Sequence, residues 1–214
     1  MLDVLMIRHG ETYCNVEGRH TGWLDYSLTE KGFAQADRMG RYMQGLTFDR
    51  YYCSDIRRTR DTFAHIFGQR TDCEYSPLLR ELNTGRCAGV TFAENERLYG
   101  EAYRVARKGM NFAAFDGEDM KDAEERAQAF LRQMEQLPGN VRRVACVSHA
   151  LLIRIIAGAI SGHSALALPM KLDNCHCTVY QLDDSGKWWI KAWNIQDPSA
   201  QTDLFAPDGN KTLR

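Results

Sequence analysis

The sequence predicts an α/β fold, a three-layer sandwich whose mainly parallel central sheet carries helices on both faces. Short apolar runs typical of buried strands alternate with longer segments of helical periodicity. This alternation favours parallel strands, because each crossover between them lays a helix on one face of the sheet. The length of 214 residues fits one domain, or one domain with an insertion, so we expect residues 1–214 to fold as a single unit.

The first half of the chain contains the signals for two strands and two helices. Residues 4–7 are an apolar run typical of a buried strand. Thr29 is a suitable N-cap for a helix with apolar side chains at helical spacing. Residues 51–53 form a second short strand signal, and we expect Asp55 to cap a helix that runs to about Phe67.

The second half repeats the pattern after a less regular interval. Residues 91–120 are rich in aromatic side chains, and we expect a small cap over the strand ends there. The elements expected after this interval are an amphipathic helix over 123–137, a strand over 144–147, an apolar helix over 150–160, and strands over 175–182 and 188–193.

Composition excludes several classes of function. The formal net charge is −1, with 27 Lys and Arg against 28 Asp and Glu, so no global charge favours nucleic acid or an acidic membrane surface. No apolar stretch is long enough to span a bilayer, and we expect no signal peptide. Seven scattered cysteines without a CxxC pair favour reduced thiols and a cytoplasmic location. Oligomeric state has no signal in the sequence.

Two histidines directly follow buried strands, and arginines lie near both in sequence or in the expected sheet. His9 follows the first strand, between Arg8 and a glycine, and His149 follows the strand over 144–147. Arg58 opens a helix just after the short strand over 51–53. In an open α/β sheet the carboxyl ends of the strands form the binding edge, so these side chains are expected to converge there.

The motifs around these residues resemble those of the histidine phosphatase superfamily, the phosphoglycerate mutase-like family. The matching segments follow the family's order: 7–12 with Asn15, then 22–25, 28–32, 53–62, 79–82 and 147–149. The resemblance implies a single histidine phosphatase-like domain with a cap at 91–120. It also implies that His9 is the nucleophile, that Arg58 binds phosphate, and that Glu81 is the acid.

Phosphate chemistry accounts for these residue types. A phosphate monoester carries about two negative charges near neutral pH, and Arg8 and Arg58 can each donate paired hydrogen bonds to its oxygens. His149, if protonated, would add a third cation. His9 must be neutral to attack phosphorus, so we expect a backbone carbonyl to hold its other ring nitrogen. Glu81 would protonate the leaving oxygen and then activate water.

Several assignments remain open at the level of sequence. Asn15 is expected either to contact phosphate or to cap a turn, and the resemblance makes Gly22 a substrate-binding position. Glu118 fits either an element near the site or the cap of the next helix. The segment Cys175-His176-Cys177 suggests a metal site, but strand alternation would separate its histidine from both thiols, which favours a structural role.

We interpret the chain as a phosphatase, a metal-independent phosphomonoester hydrolase that acts through a phosphohistidine on a small phosphorylated metabolite. We expect no metal and no other cofactor, because arginines supply the positive charge. Two alternatives remain. One is a cofactor-dependent phosphoglycerate mutase, favoured by the mutase-like segment 21–23; the other is a phosphate-binding regulatory protein without turnover.

Overall fold

A computed structural model of the chain describes residues 1–163, 167–201 and 204–205. Strands and helices alternate through most of this part of the chain. The strands are β1 (Leu2–Arg8), β2 (Arg50–Cys53), β3 (Cys73–Tyr75), β4 (Arg143–Ser148), β5 (Cys177–Leu182) and β6 (Trp188–Ile195). The α-helices are α1 (Tyr13–Glu17), α2 (Glu30–Tyr42), α3 (Arg57–Phe67), α4 (Phe92–Gly109), α5 (Met120–Glu135) and α6 (Ala150–Ser161). Single 3-10 turns lie at Pro77–Leu79, Gly85–Cys87, Ala113–Phe115 and Pro198–Ala200.

The six strands form one sheet in the order β3-β2-β4-β1-β5-β6. The first four strands in this order run parallel, while β5 and β6 are antiparallel additions at one edge. The mainly parallel sheet predicted from the sequence is therefore confirmed. The register pairs Arg8 of β1 with Ser148 of β4, so the residues that follow them, His9 and His149, leave the sheet side by side.

Both faces of the sheet are covered by helices, as a three-layer sandwich requires. Along β1, Val4 and Met6 belong to the core under α5 and α6, whereas Leu5 and Ile7 belong to the core under α2 and α3. Successive side chains of a strand point to opposite faces, so this division follows from period-two geometry. All four side chains are at most 1% exposed, which explains why the strand reads as a continuous apolar run.

The interval 91–120 is more regular than its sequence suggests, so the expectation of less regular backbone there is wrong. It holds the 18-residue helix α4, which begins with a capping box between Thr91 and Glu94. The helix is kinked at Gly100, whose φ of 54° and ψ of −128° lie outside the helical region. The kink interrupts the apolar period, and this obscures a helix whose cap is nevertheless readable in the sequence.

Other differences are local. Asp55 does not cap α3; Ile56 is the N-cap without a side-chain bond, and the Asp55 carboxylate instead accepts hydrogen bonds from Arg80 Nε and Nη2 at 2.7 and 2.5 Å. The three-residue strand β3 was not predicted. The strand expected from residue 175 begins at Cys177. The Thr29 cap is confirmed, because its hydroxyl accepts the N–H of Gly32 at 2.9 Å.

Helix α2 approaches the loop after β1 so closely that only glycines fit between them. A Cβ on Gly32 would lie 2.1 Å from the carbonyl oxygen of Glu11, and one on Gly10 would lie 2.6 Å from the carbonyl oxygen of Gly32. Both contacts involve backbone, which cannot rotate away as a side chain could. This contact fixes the path of the chain directly after His9.

We expect Gly32→Ala to lower the free energy of unfolding by about 1–3 kcal/mol, because the added methyl group overpacks against fixed backbone. The matched control is Gly109→Ala at the end of α4, where a Cβ would meet no atom within 4 Å. There alanine should be neutral or stabilising by up to about 1 kcal/mol. Urea unfolding of both variants is the measurement, and equal stability changes would contradict the close contact.

Candidate active site

His9 leaves β1 as a buried ring whose protonation is set by a neighbouring carbonyl. Its Nδ1 donates to the carbonyl oxygen of Gly10 at 2.7 Å, which leaves the lone pair on Nε2. The ring is only 4% exposed. Burial, reinforced by the charges of Arg58 and Arg8, holds the pKa of His9 well below its usual value of 6.5. His9 is therefore a neutral imidazole, and the predicted backbone contact is confirmed.

His149 lies beside it, with ring centroids 5.3 Å apart. Its Nδ1 accepts from Arg58 Nε at 3.2 Å, and its Nε2 donates to the Ser54 hydroxyl at 2.9 Å. Burial and then Arg58 hold the pKa of His149 well below 6.5. His149 is therefore not a third cation in this structure, because a ring nitrogen that accepts a hydrogen bond from a guanidinium carries no proton.

Arg58 is a fully buried cation at the start of α3. Besides the bond to His149, its Nη2 donates to the carbonyl of Gly22 at 2.9 Å and its Nη1 to that of Leu24 at 3.0 Å. Burial lowers the pKa of Arg58 to about 10, so it stays charged at neutral pH. Gly22 accordingly contributes a carbonyl that orients Arg58, and each Nη retains a second N–H.

Arg8 is the second arginine of the site. Its Nη1 donates to the carbonyl of Leu172 at 2.6 Å, while its Nε is buried and has no partner among the described residues. Burial lowers the pKa of Arg8, and the charge of Glu81 partly offsets this. The sheet register brings Arg8 next to the end of β4, as the sequence predicted.

The Glu81 carboxylate lies at the N-terminus of α6. It accepts the N–H groups of Leu151 and Leu152, both at 3.3 Å, and that of Leu82 at 3.2 Å. His149, the N-cap of this helix, makes no side-chain capping bond, so Glu81 supplies the acceptor from another segment. This contact brings the predicted acid to the turn that directly follows His149.

An ion pair supports the segment that carries Glu81. Arg126 donates to both carboxylate oxygens of Glu118 at 2.9 Å, and to the carbonyls of Arg80 and Glu81 at 2.8 and 3.2 Å. Glu118 also accepts the N–H of Asn83 at 2.8 Å. The N-cap of α5 is Asp119, so the alternative in which Glu118 caps this helix is wrong. Arg126 carries no sequence signal for this role.

Asn15 caps a turn in this structure. It forms a capping box with Thr12, whose N–H donates to the Asn15 amide oxygen at 3.1 Å. Sequence analysis missed Asn174, which donates to the carbonyl of His9 at 2.9 Å, and Ser54, the partner of His149. The sequence around each of these two residues is typical of an ordinary loop and carries no signal of a functional role. Only the fold brings them to the site.

Metal and membrane features are absent from the described residues. Within residues 1–163, 167–201 and 204–205, no group of three or more His, Cys, Asp or Glu side chains could hold a metal ion.

No helix in that part of the chain is long and apolar enough to cross a membrane. All seven cysteines are free thiols. Arg8 and Arg58 are buried cations at the site, and guanidinium groups suit an anion with several oxygens.

Comparisons with known proteins agree on one family. The model of the histidine phosphatase superfamily (branch 1) matches residues 4–196. A relative from Salmonella arizonae, named as a probable phosphoglycerate mutase GpmB, is 30% identical over 213 residues, covering 97% of each chain. A solved mycobacterial glucosyl-3-phosphoglycerate phosphatase has a TM-score of 0.78 and 25% identity, covering 91% of this chain and 100% of that one. The α-ribazole phosphatase from Shigella flexneri has a TM-score of 0.83 and 20% identity, covering 91% and 97% of the two chains, and shows the likeness of fold.

The neutral buried histidines make stability depend on pH. The folded-state pKa values of His9 and His149 lie well below 6.5, and burial lowers that of His20 to about 4. Below pH 6.5 the unfolded chain therefore binds protons that the folded chain does not, and stability falls as the pH falls. We expect a loss of about 1.4 kcal/mol per histidine between pH 7.5 and pH 5.5, or about 4 kcal/mol for the three.

Urea unfolding across this pH range measures the loss. His20→Gln should reduce it by about a third. A free energy of unfolding that stays constant from pH 7.5 to pH 5.5 would contradict the neutral assignments.

Proposed function

The chain belongs to the histidine phosphatase superfamily, and from this premise we propose that it is a metal-independent phosphomonoester hydrolase acting through a phosphohistidine. The observation that carries the proposal is the bond from His9 Nδ1 to the Gly10 carbonyl, which leaves a neutral Nε2 beside two arginines. The proposed substrate is a small phosphorylated metabolite. We assign catalytic roles to His9, Glu81, His149, Arg8 and Arg58, and substrate contacts to Asn15 and Gly22.

In the first step His9 Nε2 attacks phosphorus and the bond between phosphorus and the ester oxygen breaks. The remaining N–H groups of Arg58, together with Arg8, stabilise the charge on the equatorial oxygens. His149 lies beside the reacting ring and is held by Arg58 and Ser54. Once it releases Ser54, its Nε2–H donates to an oxygen of the phosphoryl group. Glu81 gives its proton to the leaving oxygen, and the alcohol departs.

In the second step water attacks the phosphohistidine. Glu81, now a carboxylate, takes the proton of that water, and the bond between phosphorus and Nε2 breaks. Inorganic phosphate leaves, and His9 and protonated Glu81 are restored. The N–H groups at the start of α6 and the Arg126–Glu118 pair keep Glu81 positioned through both steps.

The wider setting is part of the same proposal. We treat residues 1–214 as a single domain in which 91–120, including α4, forms the cap over the site. The free thiols favour a reducing cytoplasm. The partner is the small phosphorylated substrate, with no role for nucleic acid or membrane.

His9→Ala should lose nearly all phosphatase activity, since the proposed phosphohistidine cannot form without the His9 imidazole. Alkaline quench of the wild-type enzyme during turnover should trap a base-stable phosphoryl group on His9, which acid treatment should then release. The control is His163→Ala, which should keep the wild-type rate. Wild-type turnover by His9→Ala would contradict the nucleophile, and a folded enzyme with neither adduct nor turnover would favour a phosphate-binding regulatory protein.

A phosphoglycerate mutase is the second candidate, because relatives at 30% identity carry that name. We favour hydrolysis because the cap lacks an adjacent arginine pair that could grip the intermediate, and Arg104 is engaged by Glu96 and Glu101. We expect phosphate release from an ester panel, insensitive to chelators, to exceed interconversion of 3- and 2-phosphoglycerate with 2,3-bisphosphoglycerate supplied. Interconversion faster by orders of magnitude would instead establish the mutase.

A further inference from the structure

Trp23 is 37% exposed, yet both the polar and the apolar part of its side chain are engaged. Its Nε1–H donates to the carbonyl oxygen of Glu81 at 2.8 Å. The Cζ of Arg80 lies 4.7 Å from the centre of the ring, which is the geometry of a cation–π contact. Both contacts are therefore made to the segment that carries the proposed acid.

The carboxylate of Glu81 makes only long hydrogen bonds of its own. The N–H groups of Leu82, Leu151 and Leu152 donate to it at 3.2, 3.3 and 3.3 Å, at the upper end of the usual range. Glu81 also lines a pocket of about 320 Å³ between the start of α6 and α4, so one side of the residue faces open space. The direction of its side chain therefore depends on how its main chain is held.

The main chain of Glu81 is held at its carbonyl oxygen, which accepts from two side chains. Arg126 donates to this oxygen through Nη2 at 3.2 Å, in addition to the shorter bond from Trp23. A carbonyl oxygen has two lone pairs, so the two donors use its full capacity. Together they fix the peptide group that follows Glu81 on an irregular stretch of chain.

The residues on each side of Trp23 orient Arg58. The carbonyl of Gly22 accepts from Nη2 of Arg58 at 2.9 Å, and that of Leu24 accepts from Nη1 at 3.0 Å. The two segments also touch directly, since a Cβ on Gly22 would lie 2.9 Å from the hydroxyl oxygen of Thr84. Trp23 therefore joins the segment that holds the phosphate-binding arginine to the segment that carries the acid.

Arg80 supplies a second connection between the same parts. Its Nε and Nη2 donate to the two carboxylate oxygens of Asp55 at 2.7 and 2.5 Å. Asp55 lies just before α3, the helix that carries Arg58. Since Arg80 contacts the ring of Trp23 and not its N–H, an aromatic side chain without that N–H would keep this contact and lose only the bond to Glu81.

We infer that Trp23 is a positioning residue for Glu81, whose main chain it ties to the segment that orients Arg58. The inference rests on the proposed hydrolase and assigns a further residue to its proton-transfer steps. Gly22 and Leu24 hold Arg58 through backbone carbonyls, so a change of the Trp23 side chain leaves those carbonyls in the chain. The role of Trp23 therefore concerns proton transfer and not phosphate binding.

Trp23→Phe removes the indole N–H and tests this role with two esters of similar size, benzyl phosphate and 4-nitrophenyl phosphate. We expect kcat/KM for benzyl phosphate to fall by about 10- to 100-fold, because a misplacement of about 1 Å can cost about 10²-fold. For 4-nitrophenyl phosphate, whose leaving group needs little protonation, kcat/KM should stay close to wild type. The inhibition constant of inorganic phosphate should also be unchanged.

Trp189→Phe is the matched control. Trp189 is 47% exposed, its Nε1–H donates to Asp183 at 2.8 Å, and Lys187 lies 4.0 Å from the centre of its ring. It follows the turn between β5 and β6, which lies at the opposite end of β1 from His9. Trp189→Phe should keep the wild-type kcat/KM for both esters.

A double variant separates positioning from a general structural role. Glu81→Gln alone should already lower the ratio of kcat/KM for benzyl phosphate to that for 4-nitrophenyl phosphate. Adding Trp23→Phe to Glu81→Gln should lower this ratio no further, because a positioning residue acts through the group that it positions.

Three results would overturn the role of Trp23: an equal fall of kcat/KM for both esters, an unchanged value for benzyl phosphate, or a further fall of the ratio in the double variant. Wild-type enzyme that releases phosphate from no ester of the panel would overturn the hydrolase, and this inference with it.

Discussion

The site depends on one buried cation, Arg58. Its guanidinium ties α3 to His149 and to the carbonyls of Gly22 and Leu24, so three separate segments meet at a single planar group. A charge with no exposure is costly to bury unless hydrogen bonds surround it. The same charge disfavours a proton on either neighbouring histidine. Arg58 thus fixes much of the geometry of the site, and its charge adds to the larger effect of burial in keeping His9, the proposed nucleophile, neutral.

Close backbone contacts hold the remaining parts around that cation. Parallel pairing of β1 with β4 sets His9 beside His149, and the contact between Gly10 and Gly32 fixes the loop that follows. Glu81 arrives on an irregular segment, where regular secondary structure cannot orient it. The Arg126–Glu118 pair and the first turn of α6 do so instead. A reacting group on a loop requires this kind of support, because small displacements are costly in catalysis.

The arrangement also separates the two arginines at the edge of the sheet from the pocket beside them. Arg8 and Arg58 lie at the ends of strands and at the start of a helix, in the layer built by the sheet. Arg154 and Thr84 face a pocket whose other wall is α4, a helix kinked at Gly100.

The sequence by itself determined the sheet, most of its helices and the residues that converge on the site. Period-two and helical patterns are local, and a histidine directly after a buried strand must emerge at the edge of the sheet. The tertiary structure decided what depends on contacts between distant segments. His149 is neutral because the fold buries it and because Arg58, 91 residues away, donates to it. Asp55 pairs with Arg80 rather than capping α3, and Glu118 holds the Glu81 segment rather than α5. Arg154 reads as an ordinary helical arginine until the fold shields its Nε from solvent, leaves that atom without a hydrogen-bond partner among the described residues, and places the side chain on the wall of a pocket. Spacing along a chain specifies which face a side chain takes, but burial and partners are properties of the packed molecule.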